Sequence, residues 1–158
     1  MVQRHDATTL HFDLRLEVDG VLASWAVPKG PSLDPADKRL AVRVGDHEMS
    51  HATYEGRGAG GGPGTVIVWD TGSYENVTQL KGRPLSAAEA LERGHLRFVL
   101  HGEKLTGGFA LTRTRMGGDP KNWILVKIDD EGADRRRTPT ATENESVLSG
   151  RTNEDLEG

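Results

Sequence analysis

Nine residues near the start of the chain, Leu10-His11-Phe12-Asp13-Leu14-Arg15-Leu16-Glu17-Val18, alternate between apolar and polar without a break. Side chains change face at every step only on an extended strand, so this segment cannot be a helix. Leu10, Phe12, Leu14, Leu16 and Val18 form one face; His11, Asp13, Arg15 and Glu17 form the other. Asp19-Gly20 follows, a two-residue hairpin signal, so Val21 to Val27 is expected to return as the partner strand. Pro28-Lys29-Gly30-Pro31 then breaks the sheet, because proline cannot donate to a ladder. Leu40 to Val44 alternates again, with Arg39, Ala41, Arg43, Gly45 and His47 on the parity opposite Leu40, Val42 and Val44.

Further strands are expected over Thr65 to Trp69 and at 73–77, 95–101, 108–114 and 123–128. One helix stands out at about 86–93. Ser86 and Glu89 form a capping box, Leu85 can staple onto Ala90, and Gly94 closes the segment. Many short strands, one helix and 20 glycines predict a mostly β fold, drawn as a small closed β-barrel.

The 158 residues suit one core. Without cysteine there is no disulfide framework, thiolate metal site or cysteine nucleophile. No apolar window is long enough for a membrane span, which predicts a cytoplasmic chain with no membrane partner. The net charge of −4 is unevenly spread. Residues 129–158 hold nine Asp and Glu against four Arg, and the rest is nearly neutral. With few apolar residues, the acidic end is expected to be disordered. The division is therefore a folded domain over 1–134 and a disordered tail or linker over 135–158.

The chemistry concentrates on the polar face of the first alternating strand. His11, Asp13 and Arg15 project there at neighbouring levels, and His5 can fold over them through the turn Asp6 to Thr9. Two imidazoles and a carboxylate suit Mn²⁺, Fe²⁺ or Zn²⁺ with coordination positions left open. An adjacent arginine offers a planar fork for phosphate. The plain alternative is an ordinary solvated strand face. His47 and His51 form a second candidate, a basic patch with Arg39 and Arg43 against a strand end facing water. Lys29 is either a turn lysine or an anion-directed one. The glycine-rich stretch 56–64 lacks a P-loop ending, and Ser24, Ser32 and Ser50 have no base–carboxylate pattern.

The string from Gln3 through Glu17 resembles the opening signature of the 3′-phosphoesterase domain of bacterial end-joining DNA ligases. The resemblance continues through Ser24 to Pro35, Lys38 to Val42, Asp46-His47, Val66 to Asp70, Gly102 to Leu105 and Asn122 to Leu125. It implies a β-barrel enzyme that uses Mn²⁺, or another divalent ion such as Zn²⁺, to remove a terminal ribonucleoside or a 3′-phosphate and leave a 3′-OH. The substrate would be the 3′ end of a DNA or DNA/RNA primer–template, with a DNA ligase or other end-joining proteins as partners. By position, His5, His11 and Asp13 would hold the metal. Arg15 and His47 would hold the phosphate, with Lys29, Arg39 and Gln3 in support. His51 stands where relatives carry a tyrosine that contacts phosphate, Gly45 where they carry an acid, and Arg57 to Gly64 where they carry a longer aromatic loop.

Two other functions fit parts of the pattern. A non-haem Fe(II) oxygenase would use His11, Asp13 and a distant histidine, but gives no reason for His5, Lys29 or Arg39. A non-catalytic DNA-end-binding module of a ligase assembly would keep the cations without turnover.

Overall fold

The computed structural model describes residues 1–57, 64–114 and 119–157. The first hairpin forms as the sequence predicts. Strand β2 spans Leu10–Val18 and β3 spans Val21–Val27. Both turn residues take positive φ, 51° for Asp19 and 85° for Gly20, the geometry a tight hairpin requires. Ahead of them the structure adds β1, Val2–Asp6, a strand where the sequence suggested a folded-over arm. Then come β4 (Arg39–Glu48), a 3₁₀ turn over Met49–Thr53, β5 (Gly56–Arg57), β6 (Thr65–Asp70) and β7 (Gly72–Asn76). The short hairpin strands β8 (Gln79–Leu80) and β9 (Arg83–Pro84) lead into helix α1, Ala87–Arg93. Ser86 Oγ accepts from the Glu89 amide, and Gly94 ends the helix in the left-handed region, as the capping box predicts. Strands β10 (His95–Gly102), β11 (Thr106–Arg113) and β12 (Asn122–Lys127) complete the sheet.

Ten strands form one antiparallel sheet in the order β5-β6-β1-β2-β3-β4-β12-β11-β10-β7. The apolar face of β2 meets Trp25, Trp69, Phe98, Phe109, Leu111, Trp123 and Leu125 in the core. Trp25 packs edge-on against Trp123, and Phe12 against Trp69. Leu10, at the strand end, is 37% exposed.

Two expectations fail. The barrel is not closed: no ladder among the described residues joins β5 to β7. The reason is local. Only Thr71 separates β6 from β7, fewer residues than a hairpin needs, so these two strands cannot pair with each other. The buried Asp70 carboxylate laces the seam instead, accepting backbone N–H bonds from Glu103, Lys104 and Leu105 at 2.8, 3.1 and 2.9 Å.

The acidic tail is not a disordered appendage either. It carries short helices α2 (Pro139–Thr142) and α3 (Asn153–Glu157), and it buries Pro139, Ser146 and Asn153. Polar groups of the body hold it. Trp69 Nε1 donates to the Glu143 carbonyl, Lys104 Nζ to the Glu145 carbonyl, and the Val147 amide to Val68. A count of apolar residues misses such anchors, because the tail is fastened by hydrogen bonds instead of a large apolar face. Among the described residues no helix is long and apolar enough to cross a membrane.

Candidate metal and anion site

Strand pairing assembles the site. β1 pairs with β2 so that Gln3 opposes Asp13 and His5 opposes His11. β2 pairs with β3 so that Arg15 opposes Ser24. Opposed residues share a face, so three neighbouring strands present Gln3, His5, His11, Asp13, Arg15 and Ser24 together. A solvated strand face would leave these groups in water. Instead Asp13 is 6% and Arg15 5% exposed, and Gln3 and Ser24 are fully buried.

His5 Nδ1 lies 3.8 Å from Asp13 Oδ2, and His11 Nε2 lies 3.4 Å from Asp13 Oδ1. The two imidazole centroids are 4.6 Å apart. One ligand atom from each of the three residues falls within 4.8 Å of the others. Burial, the largest influence on Asp13, works against its charge. The hydrogen bond from His11 and the charges of His11, Arg15 and His5 outweigh it and hold the carboxyl below its ordinary range. The same hydrogen bond raises His11 above its ordinary value, with burial opposing. An ionised carboxylate flanked by two imidazoles attracts a cation, and this borderline donor set fits a divalent first-row metal ion.

Arg15 is held on three sides. Its Nε donates to Gln3 Oε1 at 2.9 Å, and its Nη1 to Ser24 Oγ at 2.7 Å. Nη1 also meets His47 Nδ1 at 2.9 Å. Gln3 in turn donates through Nε2 to the Tyr54 carbonyl, which fastens the segment after the 3₁₀ turn to β1. Nη2 lies 3.7 Å from Asp13 Oδ2 and has no hydrogen-bond acceptor among the described residues. Burial lowers the Arg15 pKa and Asp13 opposes that shift.

His47 arrives by a route that simple parity does not give. Ser24 opposes Val44, so regular pairing would set Asp46 opposite Leu22; instead Leu22 opposes His47. One extra residue in β4 makes a bulge, and every later side chain changes face. The patch of His47 with Arg39 and Arg43 expected from parity is therefore not formed: His47 joins Arg15, while Arg43 stays on the other face. There it stacks over Trp25 and bonds Asp46 at 3.1 Å. His51, in the 3₁₀ turn, sits 4.8 Å from His47 ring to ring and stacks on Tyr54. Burial, then Arg15 and His47, lower the His51 pKa. His47 Nδ1 is also 3.0 Å from the Gly45 carbonyl.

Lys29 and Arg39 lie elsewhere. With Pro28, Lys38 and Leu40 they line a cavity of about 230 Å³. Arg39 opposes Leu125 on the core-side face and pairs with Asp37 at 3.5 Å. The structure thus gathers Gln3, His5, His11, Asp13, Arg15, His47 and His51, and sets Lys29 and Arg39 apart. Ser24 and Tyr54 are additions. Ser24 lacks a base partner in sequence, and only its position opposite Arg15 reveals its role. Of the glycine-rich stretch 56–64, residues 58–63 lie outside the described residues.

Comparison with known proteins bears on this arrangement. Residues 3–113 match the sequence profile of the DNA ligase D 3′-phosphoesterase domain. The multifunctional non-homologous end joining protein LigD of Pseudomonas aeruginosa is 50% identical over 155 residues, 96% of this chain and 18% of that protein. LigD of Mycolicibacterium smegmatis is 38% identical over 133 residues, 83% of this chain and 17% of that protein. The multifunctional non-homologous end joining DNA repair protein LigD of Mycobacterium tuberculosis is 36% identical, over 83% of this chain and 16% of that protein. The chain thus spans less than a fifth of the length of these relatives.

Proposed function

Since this chain belongs to the family of DNA ligase D 3′-phosphoesterase domains, we propose that it is a divalent-metal-dependent hydrolase that processes 3′ ends in DNA end joining. Its substrate is the 3′ end of a DNA or DNA/RNA primer–template, from which it removes a terminal ribonucleoside, a 3′-phosphate or both. The metal is Mn²⁺, with Zn²⁺ the nearest competitor for the same donors. Its partners are the nucleic acid and the end-joining proteins that seal the product.

The observation that carries this reading is the burial of Asp13 and Arg15 on a strand face that also holds His5 and His11. His5, His11 and Asp13 would hold the ion. When bound, it supplies Lewis-acid charge against a phosphate oxygen and lowers the pKa of a water molecule. Arg15 has given Nε and Nη1 to protein acceptors, so Nη2 is the edge that meets the phosphate. Because those bonds fix the guanidinium before substrate arrives, its charge needs no reorganisation as the phosphoryl group reacts. His47 completes the anion pocket. Its Nδ1 edge is turned to Arg15 and the Gly45 carbonyl, so Nε2 is the edge that meets a phosphate or leaving oxygen. His51, held towards its neutral form, adds hydrogen-bonding capacity without a second fixed charge.

An Fe(II) oxygenase would leave the threefold anchoring of Arg15 without purpose. The test is a labelled primer–template ending in one ribonucleotide or a 3′-phosphate, incubated with Mn²⁺, Zn²⁺ or chelator. A 3′-OH product that needs metal and is lost in His11→Ala and Asp13→Ala supports the reading. Retarded mobility without product under any metal overturns it in favour of an end-binding module.

A further inference from the structure

The three ligand-bearing positions differ in support. His11 and Asp13 stand on β2, which has β1 on one side and β3 on the other. His5 stands on β1, whose outer neighbour β6 is backed in the sheet, among the described residues, only by the two-residue β5. The acidic tail reinforces this weaker side. Asn153 is fully buried. Its Nδ2 donates to the Arg4 carbonyl at 3.0 Å, to the Thr65 carbonyl at 2.8 Å and to Thr65 Oγ1 at 3.1 Å. Its Oδ1 accepts from Arg4 Nη1 at 2.7 Å, and its own carbonyl accepts from Thr65 Oγ1 at 3.2 Å. One amide thus bridges β1 and β6.

The bond to Arg4 matters most, because the Arg4 carbonyl belongs to the peptide group that ends in the His5 nitrogen. Holding that peptide plane fixes the direction in which the His5 side chain leaves the strand. A polar side chain with no water contact and every donor and acceptor engaged is a costly arrangement to loosen, since each freed group would stay buried. Asn153 thus stands to His5 as an outer partner stands to a metal ligand: it touches neither ion nor substrate, yet sets the ligand's pose.

We propose that Asn153 is a positioning residue, through which the C-terminal segment holds His5 in place for the metal. The proposal rests on the metal assignment made above, so its test has a readout independent of metal. In the full chain carrying Asn153→Ala, Mn²⁺ affinity measured by titration calorimetry is expected to weaken about tenfold or more, as for the loss of other outer partners. In the same metal-free variant, amide hydrogen exchange at Arg4 and His5 is expected to accelerate while that at Phe98 and Leu111 does not change. Thr65→Val, which removes two of the hydrogen bonds with little change of shape, should give a smaller weakening and stands in if Asn153→Ala does not fold. Unchanged Mn²⁺ affinity overturns the proposal, as does equal acceleration of exchange in β1 and β10, which would mean a general loss of stability. If the unmodified chain binds no Mn²⁺, the metal assignment falls, and the exchange pattern still decides whether the clasp holds β1.

Discussion

Replacing Arg15 with lysine keeps a positive charge and removes a plane, which makes it a sharp test of the anion site. The guanidinium makes three contacts of 2.7–2.9 Å, to Gln3 on β1, Ser24 on β3 and His47 on β4. Gln3 and Ser24 lie on strands to either side of β2, so an ammonium, a single point with no fork, cannot serve both. Both are fully buried, and whichever acceptor is abandoned gains no water. One buried acceptor left unpaired costs about 1–3 kcal/mol. For a chain of this size that lowers Tm by about 2–12 °C. The Nη2 edge proposed to meet the phosphate disappears as well, and losing one preorganised charge-stabilising donor lowers kcat by on the order of 10²–10³-fold. Mn²⁺ affinity should hold, because the charge beside Asp13 persists. Thermal unfolding, phosphate release from a 3′-phosphate end and Mn²⁺ calorimetry measure the three quantities separately. A lysine variant with unmodified Tm and kcat would refute the claim that the planar fork, not charge alone, organises this site.

Asp13→Asn, which keeps shape and removes charge, should abolish measurable Mn²⁺ binding by calorimetry while circular dichroism still reports a folded sheet. The raised pKa of His11 sets a pH dependence. The folded metal-free chain holds that proton more tightly than the unfolded one, so this contribution to stability is complete below the ordinary value of 6.5 and is lost as pH rises through the higher folded value. Mn²⁺ must displace the same proton, so its affinity should climb with pH across that window and then level off; a flat titration would contradict the assignment. Asp70→Ala strands three backbone N–H donors at the seam. Urea unfolding should show a loss of more than about 3 kcal/mol, on the order of 1–3 kcal/mol for each buried donor left unpaired.

What the sequence discloses is what depends on neighbours in the chain. The alternation of β2, the Asp19-Gly20 turn and the Ser86 cap all follow from residues within a few positions, and His5, His11, Asp13 and Arg15 can be named from them. β1 is harder to see. It is only five residues long and places Arg4 on the apolar parity, where its guanidinium donates to Asn153, far away in the chain. Ser24 looks like any serine until β2 is laid beside it. The tail misleads because its anchors, Trp69, Lys104, Thr65 and Arg4, belong to the body and not to the tail.

The bulge in β4 gives the stretch from Val44 to His47 a meaning that resides in its length. Remove one residue there and regular pairing would turn the side chain now beside Arg15 to the opposite surface. Deletion of Gly45, which costs no side chain at all, would still shift the residues on one side of the gap by one place. The Arg15 guanidinium would lose its imidazole neighbour without any of the reacting groups having been substituted. In this chain, then, a substitution at Gly45 or Asp46 is expected to disturb that contact less than the gain or loss of one position between Val44 and His47.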